Sequence, residues 1–251
     1  MAAVVVIGAL FGPRIPQPQS YHQFADQRTF VAIPHFFDVV SNLGFLVVGL
    51  WGAVFVLRVH AGVGTAFLAS KERWPYFFFF LGVLLTAFGS AYYHWAPDNA
   101  RLLWDRLPMA MGFMGLLAAV LSERVAPDLA RQTLVPLVGA GIGSVLYWRW
   151  TDLAGRDDLR LYGIVQFGSL ALVLALCLLL RSCYTRGSDM FAVVALYALA
   201  KLSEALDKQA FALGGVISGH TFKHVTAALA CYLVLRMLMM RQPTPERVAS
   251  E

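Results

Sequence analysis

The chain carries seven apolar runs, and these runs limit its fold more than any other feature. They cover residues 36–57, 74–95, 102–121, 134–150, 161–180, 191–212 and 217–240. Each is close to the roughly 20 residues a helix needs to cross a bilayer. A segment in lipid must satisfy its own backbone groups, and none of the runs alternates like a strand, so they are read as helices. Composition agrees, with 59% hydrophobic and only 14% charged residues, against about 25% charged in soluble domains. The expected fold is all-α: an integral membrane bundle of seven transmembrane helices over residues 36–240. Residues 1–35 are expected to be an N-terminal apolar stub followed by an interfacial segment, with Pro13, Pro16 and Pro18 breaking any helix between them. Residues 241–251 form a polar tail.

Charge narrows the function classes. The net charge is +5, but the basic residues stand singly between apolar runs. That pattern is not a nucleic-acid footprint; it is the pattern that sets membrane orientation. Arg58, Lys71, Arg73, Arg124, Arg131, Arg181, Arg186, Arg241 and Arg247 fall on one side of a seven-span chain. Arg14, Arg28, Arg101, Arg156, Arg160 and Lys208 fall on the other. The excess predicts a cytoplasmic C-terminus and an outside N-terminal region. Cys177, Cys183 and Cys231 have neither metal-type nor disulfide-framework spacing.

Two stretches hold ionisable groups at the edges of apolar runs, where such groups are costly and point to function. Residues 89–108 read GSAYYHWAPDNARLLWDRLP and contain Ser90, His94 and Asp105; residues 218–224 read SGHTFKH and contain His220 and His224. His94 falls at the end of the second span, Asp105 near the start of the third, and His220 and His224 at the start of the seventh. In an up-and-down bundle these positions share one side of the membrane at similar depth. His220 and His224, four residues apart, face the same way on a helix, the spacing of the two histidines in HExxH zinc helices. With His94 they offer three nitrogen ligands, the open arrangement of a catalytic zinc site. Ser90 shares a helix face with His94, and Asp105 is placed to handle a water there. Each residue also has a plainer role: Asp105 as a partner of Arg101 or Arg106, Ser90 as a small packing residue, His94 as a hydrogen-bonded interfacial histidine.

The pattern S-x3-H-x10-D-x2-P, followed distally by H-x3-H, resembles the alkaline ceramidase family within a wider superfamily of seven-span membrane hydrolases. DVVSNLGF at residues 38–45 resembles that family's first span, with Ser41-Asn42 as its Ser-Asn pair. The resemblance covers about residues 21–240. It implies that His94, His220 and His224 bind zinc, that Asp105 handles the attacking water, and that Ser90 lies beside the reaction centre. It also implies a substrate that is the amide of a sphingoid base and a fatty acid, and a bacterial-type member in the inner (plasma) membrane. The same resemblance admits a zinc- and lipid-binding receptor or scaffold without turnover. Animal members bind calcium through an acidic cluster before the first span. Here that region offers only Asp26 and Asp38, interspersed with Arg28 and His35, so calcium regulation is not expected. YHQFADQR at residues 21–28 is either a lid on the zinc face or an interfacial loop. Lys201, Glu204, Asp207 and Lys208 in the sixth run are read as a structural ion-pair set in preference to a substrate site. A haem protein is disfavoured because two histidines on one helix face cannot ligate opposite sides of one iron. A retinal protein is disfavoured because Lys223 lies near a membrane face.

Overall fold

The computed structural model describes residues 12–62 and 66–245. The apolar stub at residues 1–11 and the end of the tail at 246–251 lie outside the described residues. Besides two short 3-10 turns, Gln19–His22 and Ser70–Glu72, the described residues form eight helices in order: α1 (Phe36–Arg58), α2 (Arg73–Trp95), α3 (Asn99–Arg124), α4 (Leu129–Leu153), α5 (Arg160–Leu179), α6 (Asp189–Ala205), α7 (Asp207–Gly214) and α8 (Gly219–Met240). No strand occurs among the described residues; only two isolated bridges do, Phe30 with Ile33 and Tyr184 with Pro243.

Six of these helices are long and apolar enough to cross a membrane: α1 to α5 and α8. The sixth run differs from its expected form. It is two helices, because α6 stops after 17 residues at Ala205, Leu206 turns with φ −99° and ψ 21°, and the short α7 begins at Asp207. The last turn of α6 carries Lys201 and Glu204, and the break frees Asp207 to cap a neighbouring helix.

α3 lies at the centre, packed against α2 and α4. Its start is fixed by Asp98, whose carboxylate accepts from the Arg101 backbone N–H at 2.7 Å, an N-cap bond. Pro108 inside α3 removes the hydrogen bond that would reach back to the Trp104 carbonyl. Gly89 of α2 sits against that freed oxygen: a Cβ on Gly89 would come within 2.0 Å of it. Only a glycine allows this crossing, and the crossing brings Ser90 to Asp105. α5 contains one π turn, Ile164–Gly168, whose extra residue turns Gln166 toward Tyr197 of α6 at 2.7 Å.

The end of the bundle remote from the histidines is closed by a buried polar cluster. Arg241, just past α8, pairs with Glu123 of α3, donates to the Tyr76 hydroxyl at 3.2 Å and donates to the Ala66 carbonyl at 2.9 Å. The Tyr184 ring stacks 4.1 Å from its guanidinium, and the Tyr184 hydroxyl bonds Glu72.

Candidate metal centre

The three histidines converge. His94 comes from the last turn of α2, and His220 and His224 come from the first two turns of α8. Their ring centroids lie 4.7, 4.9 and 4.9 Å apart, and one nitrogen from each falls within 4.8 Å of the others. All three are buried. The start of α8 is fixed by a double cap: the Ser218 hydroxyl accepts from the Thr221 N–H at 2.9 Å, and Asp207 accepts from the His220 N–H at 2.8 Å. Asp38 in the first turn of α1 accepts from the Thr221 hydroxyl at 2.6 Å. These bonds set the rotation of α8 and so the direction of both its histidines.

The donors suit a metal. Ser41 meets His224 Nδ1 at 2.7 Å, which leaves Nε2 buried and without a partner. His94 and His220 turn their Nε2 atoms toward each other at 3.2 Å. His94 Nδ1 is likewise buried without a partner, and the three converging rings could hold a metal ion. Among the described residues this is the one such His/Cys/Asp/Glu cluster.

Ser90 and Asp105 are both buried and line the same cavity as His224. Asp105 does not take the plainer role of ion-pair partner to Arg101 or Arg106. Arg101 pairs with Asp98 instead, and Arg106 turns away to Gln17.

Residues 19–28 fold back over the centre. Phe24 is 4% exposed, with its ring 4.6 Å from His94 and 4.5 Å from His220. The segment is held by His22, which bridges the Tyr93 hydroxyl and the Asn99 side chain at 2.9 Å each. Asp207 accepts from Ala25 N–H at 2.8 Å, so one carboxylate holds both the covering segment and the start of α8. Arg28 clamps Asp26 and donates to the carbonyls of Gly215 and Val216 at 2.9 and 2.7 Å. Burial alone would raise the Asp26 pKa, but the Arg28 guanidinium and N–H hold it below the usual carboxylate value.

Below the triad lies a cavity of about 410 Å³, within the range of about 300–1,000 Å³ usual for small-molecule sites. Ser90, Asp105 and His224 stand at its polar end, together with Tyr21, Arg106, Lys201, Glu204 and Lys223. Phe79, Val83, Phe113, Leu116 and Leu170 line the remainder. Glu204 is the hub of the ion pairs: it binds Lys201, Lys223 at 2.8 Å and the Tyr21 hydroxyl at 3.1 Å. Lys208, counted in the ion-pair set by its place in the sequence, makes no ion pair among the described residues. Lys223 takes that place, with its Nζ also 3.2 Å from His220 Nε2. This charged set faces the cavity and does not lie on an outer rim.

Compared with known protein families and with curated proteins, the chain matches none of them.

Proposed function

We propose that this chain is a zinc-dependent membrane hydrolase that cleaves a ceramide-like lipid amide to an amine and a fatty acid. One observation carries the reading: three buried histidines with an unpaired nitrogen lie beside a mostly apolar cavity that His224, Ser90 and Asp105 line. On the same reading α6 is a seventh, short span, and the histidine end faces outward across a bacterial inner membrane.

His94, His220 and His224 would hold the zinc, which when bound supplies a Lewis acid and acidifies a water toward a pKa of about 7. Ser41 keeps His224 Nε2 turned to the centre by holding Nδ1. The Asp105 carboxylate takes a proton from the attacking water and delivers it to the leaving nitrogen. Ser90 orients that carboxylate, and its hydroxyl can turn to the oxygen on which negative charge develops. Phe24 and the segment around it keep bulk water from the carbonyl, which strengthens every charge interaction beneath it. The apolar walls below take the acyl chain.

The test combines elemental analysis with a hydrolysis screen. Purified protein is expected to hold about one zinc per chain, and His94→Ala, His220→Ala and His224→Ala are each expected to strip it. Full zinc in all three variants would end the three-histidine assignment. The zinc-loaded protein should release free fatty acid from lipid amides in detergent or liposomes. Release from none of them would make a zinc- and lipid-binding receptor the better reading.

A further inference from the structure

Arg106 is explained neither by the bundle nor by the hydrolytic centre. It lies two turns into α3, about 10 Å from the helix start at 1.5 Å per residue, is 6% exposed and lines the cavity. One guanidinium nitrogen donates to the Gln17 side chain. The other, Nη1, is buried and has no hydrogen-bond partner. The rings of Trp148, Tyr162 and Tyr21 surround it at 4.4, 4.9 and 5.7 Å, which offsets part of the desolvation.

No carboxylate among the described residues pairs with it. Asp105, its chain neighbour, points about 100° away around the helix. Glu204 lies between Lys201 and Lys223. Asp157, behind Trp148, accepts from the Gln17 N–H and the Trp148 indole at 2.7 and 2.9 Å. Arginine cannot shed its proton to escape the cost. Around the polar end of the cavity, Arg106, Lys201 and Lys223 face Asp105 and Glu204, so one positive charge is unmatched. A buried cation without a counter-charge is strongly unfavourable, and the space beside it is open to a ligand.

We infer that Arg106 receives an anionic group of the lipid, and that the cavity takes an N-acyl amino acid: a lipid amide whose head carries a carboxylate. This rests on the amide-hydrolase reading and departs from ceramide in the head group, which becomes acidic. A guanidinium presents a planar fork that matches a carboxylate in two parallel bonds. A neutral hydroxylated head would leave the charge of Arg106 unanswered. The acyl chain runs down the apolar walls past Phe113 and Leu116, and the amide lies between the Arg106 site and Asp105. A carboxylate also appears on the released fatty acid, so the two sources must be told apart.

The experiment measures binding of three probes with one acyl chain to the full-length, zinc-loaded protein: N-oleoylglycine, N-oleoylethanolamide and oleic acid. Hydrolysis of the two amides is followed in parallel. N-oleoylglycine is expected to bind at least 10-fold more tightly than N-oleoylethanolamide. That ratio should fall below about threefold in Arg106→Gln and be only partly kept in Arg106→Lys, which retains the charge but not the planar fork. Equal binding of the two amides by the wild-type protein overturns the inference, and this arm needs no variant to fold. If oleic acid binds as tightly as N-oleoylglycine and loses as much in Arg106→Gln, the site serves the product acid and the head-group assignment is overturned. Preference for N-oleoylglycine without cleavage of either amide upholds the anion site and defeats the hydrolase reading. Cleavage of the ethanolamide with no preference does the reverse.

Discussion

His224 has one ring nitrogen already assigned, because the Ser41 hydroxyl holds Nδ1 at 2.7 Å. Ser41→Ala leaves the ring free to turn, and zinc affinity is expected to fall about 10- to 100-fold with the fold intact, as measured by competition with a chelator. An unchanged affinity would mean that packing against Phe45, 6.0 Å away, is enough to orient the ring. Asp105→Asn tests a different property. It keeps size and hydrogen bonding but removes the base, so zinc content should hold while fatty-acid release per zinc falls about 100-fold or more. Release at the wild-type rate would take Asp105 out of the proton-transfer role. At this scale the histidines were legible because a four-residue spacing fixes a shared helix face, whatever the partner. Ser41 was visible through resemblance alone. The roles of His22 and Phe24 were not legible, since they depend on a non-helical segment folding back onto helices more than seventy residues away. Arg106 reads in sequence as a neighbour of Asp105, yet adjacent helical residues point about 100° apart, and the two serve different ends.

Among the elements, the α2–α3 crossing has the least room for change. Gly89→Ala would place a methyl on the Trp104 carbonyl oxygen, and relief requires the helices to separate. Overpacking of this kind costs about 1–3 kcal/mol. The expected signature is a lower melting temperature together with a turnover loss larger than the loss of zinc, because Ser90 and Asp105 sit on opposite sides of the crossing. The covering segment gives a pH prediction. The Asp26 pKa is held below its unfolded value by Arg28, so its contribution is complete above the ordinary carboxylate value of about 3.9. It is lost only as pH falls through the lower folded value. The protection that the Asp26–Arg28 pair gives residues 26–28, taken as exchange relative to the intrinsic rate at each pH, should therefore not change between pH 7 and 5. In Arg28→Gln the burial of Asp26 is opposed by His35 but no longer by Arg28, its pKa rises, and opening should begin at higher pH. Protection in residues 26–28 that is lost in the wild-type protein by pH 5 would contradict the clamp. Six of the seven apolar runs became helices of spanning length because unbroken apolar composition leaves few other folds in lipid. The break at Leu206 was not legible. It places Asp207 to hold both Ala25 and His220, a tertiary placement that fixes the turn more finely than the charged second half of the run, Lys201 to Lys208, marks in sequence.

For the molecule as a whole, the two ends behave differently. At the end remote from the histidines, Arg241 and Glu123 are buried and paired. Arg241→Met strands a buried carboxylate and is expected to cost about 3–5 kcal/mol, whereas replacing both residues by apolar ones should cost less than either single change. Thermal unfolding checks this, and zinc per folded chain should not alter because the triad is at the other end. Orientation is tested with reporters: one fused after Glu251 should be cytoplasmic and one near Asn99 outside. A cytoplasmic Asn99 reporter would reverse the orientation and leave the site geometry untouched. The placement of the triad also bears on the order of events during synthesis. His94 and His220 are separated by 126 positions, and α8 supplies two of the three rings as well as the start of the segment that ends at Arg241. A nascent chain carries its first imidazole through those 126 positions with nothing to complete the set. The donor set closes only when α8 is threaded beside α1 and α6, so any ion held there would be acquired after α8 has been inserted, a natural checkpoint between a partly threaded bundle and a closed one.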